Sequence, residues 1–328
     1  MSEVTMADYK TINQANTFSQ EKLQQIRAVL ALALKDSPSK EKITVITTGS
    51  YGRAEASDES DLDLFILFDS DLSAEDTIRE ELKIIKQVVN DQVPNSVGDS
   101  GTFGADAVIN FRELVTNIGG DQDDNKSLTR RMLFLLEAVY LYGDDRFKDY
   151  QKRLLEKYIL PTSPQSQASK FLLNDIIRYY RTMATDFEFK VSEQKKEWGL
   201  RNIKLRFSRK LIYFGGLMVS AELVGLNREE RIKKAVDLFS QPVLIRLCGL
   251  DLGVGKAHGI LSHYEAFLER ISNHDVRQKL GRLEKADRES NDEFKALRDR
   301  GIEFSKALDS WLKAKYPSDH VIHHSLVF

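Results

Sequence analysis

Cysteine, proline and long apolar runs are all scarce in this chain. A single cysteine, Cys248, in 328 residues excludes an intrachain disulfide framework and fits a reducing compartment. Six prolines and 18 glycines exclude collagen-like and Pro/Gly-rich low-complexity architectures. No apolar run approaches the ~20 residues a membrane-spanning helix needs. Met1–Lys10 lacks a signal-peptide pattern, so a cytoplasmic location without a membrane span is expected. Neither sign of charge dominates, with 48 Lys+Arg against 50 Asp+Glu and a net charge of −2. What the chain does have is core material, 41% hydrophobic residues. Its length exceeds the roughly 250–300 residues at which a single core stops growing, so two domains are expected.

The even charge balance conceals an asymmetry. Residues 1–125 carry 23 acidic and 11 basic side chains, a net of −12, and residues 126–328 carry 27 and 37, a net of +10. Such halves suit cations on one side and phosphates on the other, although two differently composed solvated surfaces would give the same counts. The hydrophobic pattern changes at the same place. Before it, Leu23, Ile26, Leu30 and Leu34 predict a helix over 19–36. The β-branched run Ile43–Thr48 and the run Leu62–Phe68 predict strands. Ile78, Leu82, Ile85 and Val89 predict a helix over 73–89, and strand-like pieces follow around 96–103 and 107–111. After 125 the pattern is helical, at about 128–142, 145–158, 166–190, 195–223, 228–239, 257–271, 276–286 and 290–315. The tail 317–328 shows no helical period and is expected to be mobile. The expected fold class is therefore α+β, a small mixed-sheet head over 1–125 and a mostly helical domain over 126–328.

One segment carries chemistry. Thr48-Gly49-Ser50-Tyr51-Gly52-Arg53 is followed by Ser60-Asp61-Leu62-Asp63-Leu64. Two residues apart in a strand, Asp61 and Asp63 point to one face. Such a pair repels unless divalent cations bind it, and its oxygen ligands suit Mg²⁺. Two such ions roughly 3.5–4 Å apart activate a hydroxyl and hold a leaving phosphate. In the loop, Gly49 and Gly52 permit close backbone approach and Ser50 donates from hydroxyl and amide. Arg53 is placed to neutralise phosphates as a bidentate donor. An acidic strand end beside a tight turn is the plain structural alternative.

Gly49-Ser50, ten intervening residues, then Asp61-Leu62-Asp63-Leu64 resembles the signature of the polymerase-β-like nucleotidyltransferase superfamily. More widely, Asn117-Ile118-Gly119-Gly120, Leu128-Thr129-Arg130-Arg131-Met132, Leu136-Glu137, Leu173–Tyr179 and Trp198–Lys204 resemble the bacterial branch near the protein-PII uridylyltransferases. With no regulatory amino-acid-binding domain or HD metal-hydrolase pair, the chain is similar instead to stand-alone nucleotidyltransferases, some of them from anti-phage defence loci. The resemblance implies an enzyme in which Asp61 and Asp63 bind two Mg²⁺ (Mn²⁺ in its place), while Gly49 and Ser50 orient the triphosphate of an NTP or dNTP. It implies a third carboxylate that shares a metal and serves as base. Asp106 is the first choice, Asp99 its rival and Glu113 a distant third. It also implies that the helical domain closes over the nucleotide and supplies cations to the phosphates. Lys204, then Arg178 and Ser208, are the candidates, and a solvated basic face or internal ion pairing is the alternative.

The reaction so implied transfers a nucleoside monophosphate to a hydroxyl with release of pyrophosphate. Untemplated synthesis of a short oligonucleotide or nucleotide signal in antiviral defence is the leading expectation. AMPylation or UMPylation of an operon-encoded partner protein is the first alternative, and a catalytically idle nucleotide-binding regulator the second. A tail hydroxyl (Tyr316, Ser318 or Ser325) is a further candidate acceptor or primer. Other features carry less. Gly253-Val254-Gly255-Lys256-Ala257 departs from a P-loop in glycine placement and in the residue after the lysine. His320, His323 and His324 sit in the tail, and Tyr179, Tyr180 and Tyr213 read as core as readily as base-stacking platforms.

Overall fold

The computed structural model describes residues 6–70, 74–93 and 107–326. It is an α+β protein, with a mixed sheet near the N-terminus and a mostly helical remainder. Two compact units divide it: Ala15–Leu160 with Ile232–Pro242, and Met1–Gln14 with Pro161–Arg231 and Val243–Phe328. The change of pattern at 125 thus falls inside the sheet-bearing unit, which continues to Leu160.

In chain order the first unit contains α1 (Lys10–Ala33, from Ala15 on), β1 (Ile43–Thr47), α2 (Gly49–Gly52) and β2 (Leu64–Phe68). Next come α3 (Ala74–Thr77), α4 (Arg79–Gln92), β3 (Val108–Asn110) and α5 (Phe111–Thr116). Its 15–160 stretch closes with α6 (Asn125–Leu136), β4 (Val139–Tyr142) and α7 (Asp144–Tyr158). Among the described residues the sheet runs β3-β2-β1-β4. β1 pairs antiparallel with β2, from Ile43 opposite Phe68 to Thr47 opposite Leu64, and antiparallel with β4 across an irregularity at Val45/Ile46. β2 and β3 are parallel, a pairing that needs a crossover, and α4 lies within it.

Both central strands are buried throughout, as expected where helices cover both faces. Ile43, Val45, Leu64, Ile66 and Phe68 share a core with Leu23, Ile26 and Leu30 of the first helix, with Leu34 just past its end, and with Ile78, Ile85 and Val89. These are the apolar positions their helical spacing singles out. The expected helix 128–142 is instead a helix ending at Leu136 and the strand β4. The apolar positions fit either period locally, and Val-Tyr-Leu-Tyr prefers a pleated surface. The strand-like piece at 96–103 lies outside the described residues.

Beyond Leu160 the chain runs through α8 (Lys170–Ser192), α9 (Gly199–Lys204), a π-helical segment Leu205–Arg209, α10 (Lys210–Glu222) and α11 (Arg228–Phe239). It ends with α12 (Val243–Leu250), α13 (Ala257–Ile271), α14 (His274–Gly281), α15 (Asp292–Lys315) and α16 (Val321–Ser325). The α15 stripe Phe294, Leu297, Phe304, Leu308 and Leu312 is buried, with Phe207 and Tyr264 in the same core. The tail does not match the expectation of an irregular segment. Ile322 is buried, His320 caps α16 by accepting from the Ile322 amide at 3.2 Å, and His323 Nε2 lies 3.0 Å from the Tyr316 carbonyl. No helix among the described residues is long and apolar enough to cross a membrane.

Candidate active site

β1 ends at Thr47 and the chain turns at once through α2. The turn is built on two glycines, and each lets another part of the protein approach. Gly49 has φ +68°, a left-handed conformation that costs other residues about 1–2 kcal/mol. A side chain there would also collide with the Asp63 carboxylate, whose Cγ would lie 3.2 Å from the added Cβ. At Gly52 a Cβ would strike the Glu137 carbonyl and come within 3.3 Å of the Thr47 carbonyl. The Thr48 amide donates to the Asp63 carbonyl at 2.8 Å, and the Thr47 hydroxyl to the same oxygen at 2.9 Å. The backbone of Asp63 is therefore locked to the end of β1, and its side chain lies against Gly49.

Asp61 and Asp63 precede β2 rather than lying within it, since the strand starts at Leu64. The alternation expected of them still holds, because both are partly exposed and Leu62 between them is completely buried. Tyr51 lies near Asp61. Its phenol is pushed up to about 12, mainly by burial and then by the charges of Asp58 and Asp61. Ser50 is partly exposed at the first turn of α2.

Arg53 takes a place other than the phosphate-facing one expected of it. It is buried, with Nε donating to Glu55 Oε2 at 2.9 Å and Nη1 to Glu137 Oε2 at 2.5 Å. The other Glu137 oxygen accepts from the Gly49 amide at 3.2 Å. Burying one guanidinium with two carboxylates is tolerable only when they pair, and Arg53 here braces the loop through Glu55 and Glu137. Ala54, between Arg53 and Glu55, is held at φ +59°, a strained conformation that the surrounding bonds sustain. Glu137 is the residue whose part here was hardest to foresee. It is 88 positions from Gly49, and the sequence marks it only as a charge that closes the apolar run Met132–Leu136 and as part of the Leu136-Glu137 resemblance, neither of which points to the glycine turn.

Asp106 and Asp99 lie outside the described residues. Glu113 is exposed on α5. β3 enters beside the aspartates' strand, with the Ile66 amide donating to the Ala107 carbonyl at 3.0 Å. Among the described residues no three His, Cys, Asp or Glu side chains gather as a metal cage. The paired carboxylates of Asp61 and Asp63 nonetheless fit a hard divalent ion that keeps water or phosphate oxygens in its other positions.

Arg178, Lys204 and Ser208 belong to the helical unit. Ser208 is buried in the π-helical segment and accepts from the Tyr264 hydroxyl at 3.3 Å. Arg178 pairs with Asp175 at 3.6 Å and remains partly exposed, as does Lys204. Tyr179 is core, and Tyr180 stacks on Tyr213 with centroids 4.7 Å apart. The glycine-lysine segment at 253–257 is a helix start closed by the protein itself. Asp251 Oδ1 accepts from the Lys256 and Ala257 amides at 3.0 and 3.1 Å and from the Trp311 indole at 2.8 Å. Tyr316, a candidate acceptor, is buried and bonded to Glu222 at 3.0 Å. Burial, then Glu222, holds its phenol far above the ordinary range.

Comparison with protein families gives a match over part of the chain. Residues 29–98 match the nucleotidyltransferase domain, a stretch that includes β1, the glycine turn, both aspartates, β2 and α4. A domain of this kind is a transferase of nucleoside monophosphates. No curated protein matches the chain.

Proposed function

We propose that the protein is a magnesium-dependent nucleotidyltransferase that moves a nucleoside monophosphate from an NTP or dNTP to a hydroxyl. The observation that carries this reading is the pair Asp61 and Asp63 flanking buried Leu62, with the Asp63 carboxylate seated against the left-handed Gly49, inside the matched residues. Asp61 and Asp63 would hold the metal. When bound, magnesium supplies a lowered hydroxyl pKa and charge for the departing phosphates. Ser50 orients the triphosphate from its hydroxyl, and the Gly49 turn sets where that hydroxyl stands. Asp106 accepts the acceptor's proton as its oxygen attacks the α-phosphorus. The bond from that phosphorus to the bridging oxygen breaks and pyrophosphate leaves.

The reading extends to the acceptor: the 3′-hydroxyl of a growing short oligonucleotide or nucleotide signal, in an anti-phage role. Incubation with each NTP and dNTP plus Mg²⁺, read by denaturing gel, pyrophosphate release and intact mass, tests it. A product ladder that disappears in Asp63→Asn supports the assignment. Mass added to a protein instead points to the nucleotidylating alternative. Full turnover in Asp61→Asn and Asp63→Asn sinks the enzyme assignment.

A further inference from the structure

Position 19 breaks the pattern of α1. Leu23, Ile26 and Leu30 lie on its buried face. One turn before Leu23 the same spacing leads to an apolar side chain, but the residue there is Ser19. Ser19 is completely buried, and serine is an indifferent helix former. Its hydroxyl donates to the Ala15 carbonyl at 2.7 Å. That bond uses its one hydrogen and leaves the oxygen as an acceptor. The oxygen accepts from the Ala56 amide at 2.9 Å, and Ala56 is completely buried as well.

Ala56 belongs to the loop that joins Ser50 to Asp61. A buried amide needs an acceptor, and the neighbouring amides find theirs close by. Those of Gly52, Arg53, Ala54 and Glu55 donate to the carbonyls of Thr48, Gly49, Tyr51 and Ser50, at 3.2, 3.1, 3.1 and 2.8 Å. The Ser57 amide donates to Ser60 Oγ at 3.0 Å, and the Ser60 amide to the Ser57 carbonyl at 2.9 Å. Ala56 stands between these two closed groups, and its amide reaches α1 instead. The tie therefore sets where the glycine turn ends and where the turn leading to Asp61 begins. Asp63 has its own bonds to the end of β1, whereas Asp61 follows directly from this loop. Phe18, next to Ser19, meets the glycine turn itself, its ring centroid 6.4 Å from that of Tyr51. Ala54, strained at φ +59°, lies two residues before the tie, so slack at Ala56 would let the strain relax and shift the loop.

We propose that Ser19 is a positioning residue for nucleotidyl transfer, holding the Ala56 amide so that the loop sets Asp61 relative to Ser50. The assignment rests on the transfer reading above. It is tested on the full chain by steady-state pyrophosphate release with Mg²⁺ and each NTP and dNTP, and by deuterium exchange of the metal-free protein. Ser19→Ala removes the acceptor. Exchange of the Ala56 amide should quicken about tenfold, the equivalent of one buried amide left unpaired, with exchange in α4 unchanged. Its kcat should fall about ten- to a hundredfold with the nucleotide KM changed much less, because alignment is lost rather than binding contacts. Ile26→Val loosens the same core without touching the loop, and below its melting temperature it should keep the wild-type kcat. Ser19→Thr keeps the acceptor and adds bulk, whereas Ser19→Cys keeps the shape with a weaker acceptor. The threonine variant should therefore retain more activity than the cysteine variant, the opposite of what a packing role gives. The reverse order, or wild-type kcat in Ser19→Ala beside an active wild type, overturns the assignment and leaves the reaction standing. A lowered kcat without faster exchange at Ala56 does the same. A wild type that releases no pyrophosphate with any nucleotide overturns the reaction and this role together.

Discussion

At the scale of single residues, the site rests on what Gly49 lacks. Its absent side chain makes room for the Asp63 carboxylate, and its positive φ turns the chain toward Ser50. Gly49→Ala should therefore cost about 1–3 kcal/mol of stability from backbone strain alone. It should also displace Asp63 and abolish nucleotidyl transfer, checked by thermal melting alongside pyrophosphate release. Asp63→Asn should separate the two effects. Its side chain is partly exposed, so the melting temperature should hold while turnover falls by about 10²–10³-fold or more. That Asp61 and Asp63 flank a buried residue is legible in the sequence, because a two-residue spacing sets the alternation whether or not the strand has formally begun. The role of Arg53 is not. A lone arginine after a glycine loop reads as a phosphate ligand until the fold brings Glu137 to it.

At the scale of elements, buried charges hold the turns to their neighbours. The Arg53 brace joins the glycine turn to the junction of α6 and β4. Glu137→Ala should destabilise by about 3–5 kcal/mol, the cost of breaking a buried pair. Glu137→Gln, which keeps an acceptor for the Gly49 amide, should cost less, and denaturant unfolding of both variants measures the difference. A second tie shows a definite pH dependence. Burial alone would raise the Asp69 carboxyl, but hydrogen bonds from Arg153 and Arg112 outweigh it and hold the group below the ordinary range. A depressed folded pKa gives stability above the unfolded value of about 3.9 that is lost as pH falls through the folded one. Asp69→Asn should thus lower the melting temperature at pH 7, with the gap to wild type closing in acid. In the helical unit Asp251→Ala would strand three donors, each worth about 1–3 kcal/mol. Lys256→Ala should leave triphosphate turnover unchanged, since Asp251 already fills that helix start.

At the scale of the molecule, the sheet decides where the first unit ends. β4 hydrogen-bonds β1, and Glu137 just before it completes the loop brace. A fragment 1–125 should show no cooperative melt by circular dichroism, because it lacks β4 and leaves Arg53 and Glu55 without Glu137. A fragment 15–160, which retains all four described strands, should preserve more strand signal. Periodicity alone determined that α1 and α15 are helices with particular buried faces, and that a strand, loop and strand present two carboxylates. Those properties depend on residues within a few positions of one another, and local geometry follows from local spacing. Tertiary structure alone decided that 139–142 is a strand, that Arg53 and Ser208 face protein partners and that Ile322 of the tail is buried. Each of those outcomes depends on partners tens of residues away, and the free energy of a buried charge or a paired strand exists only once those partners have arrived.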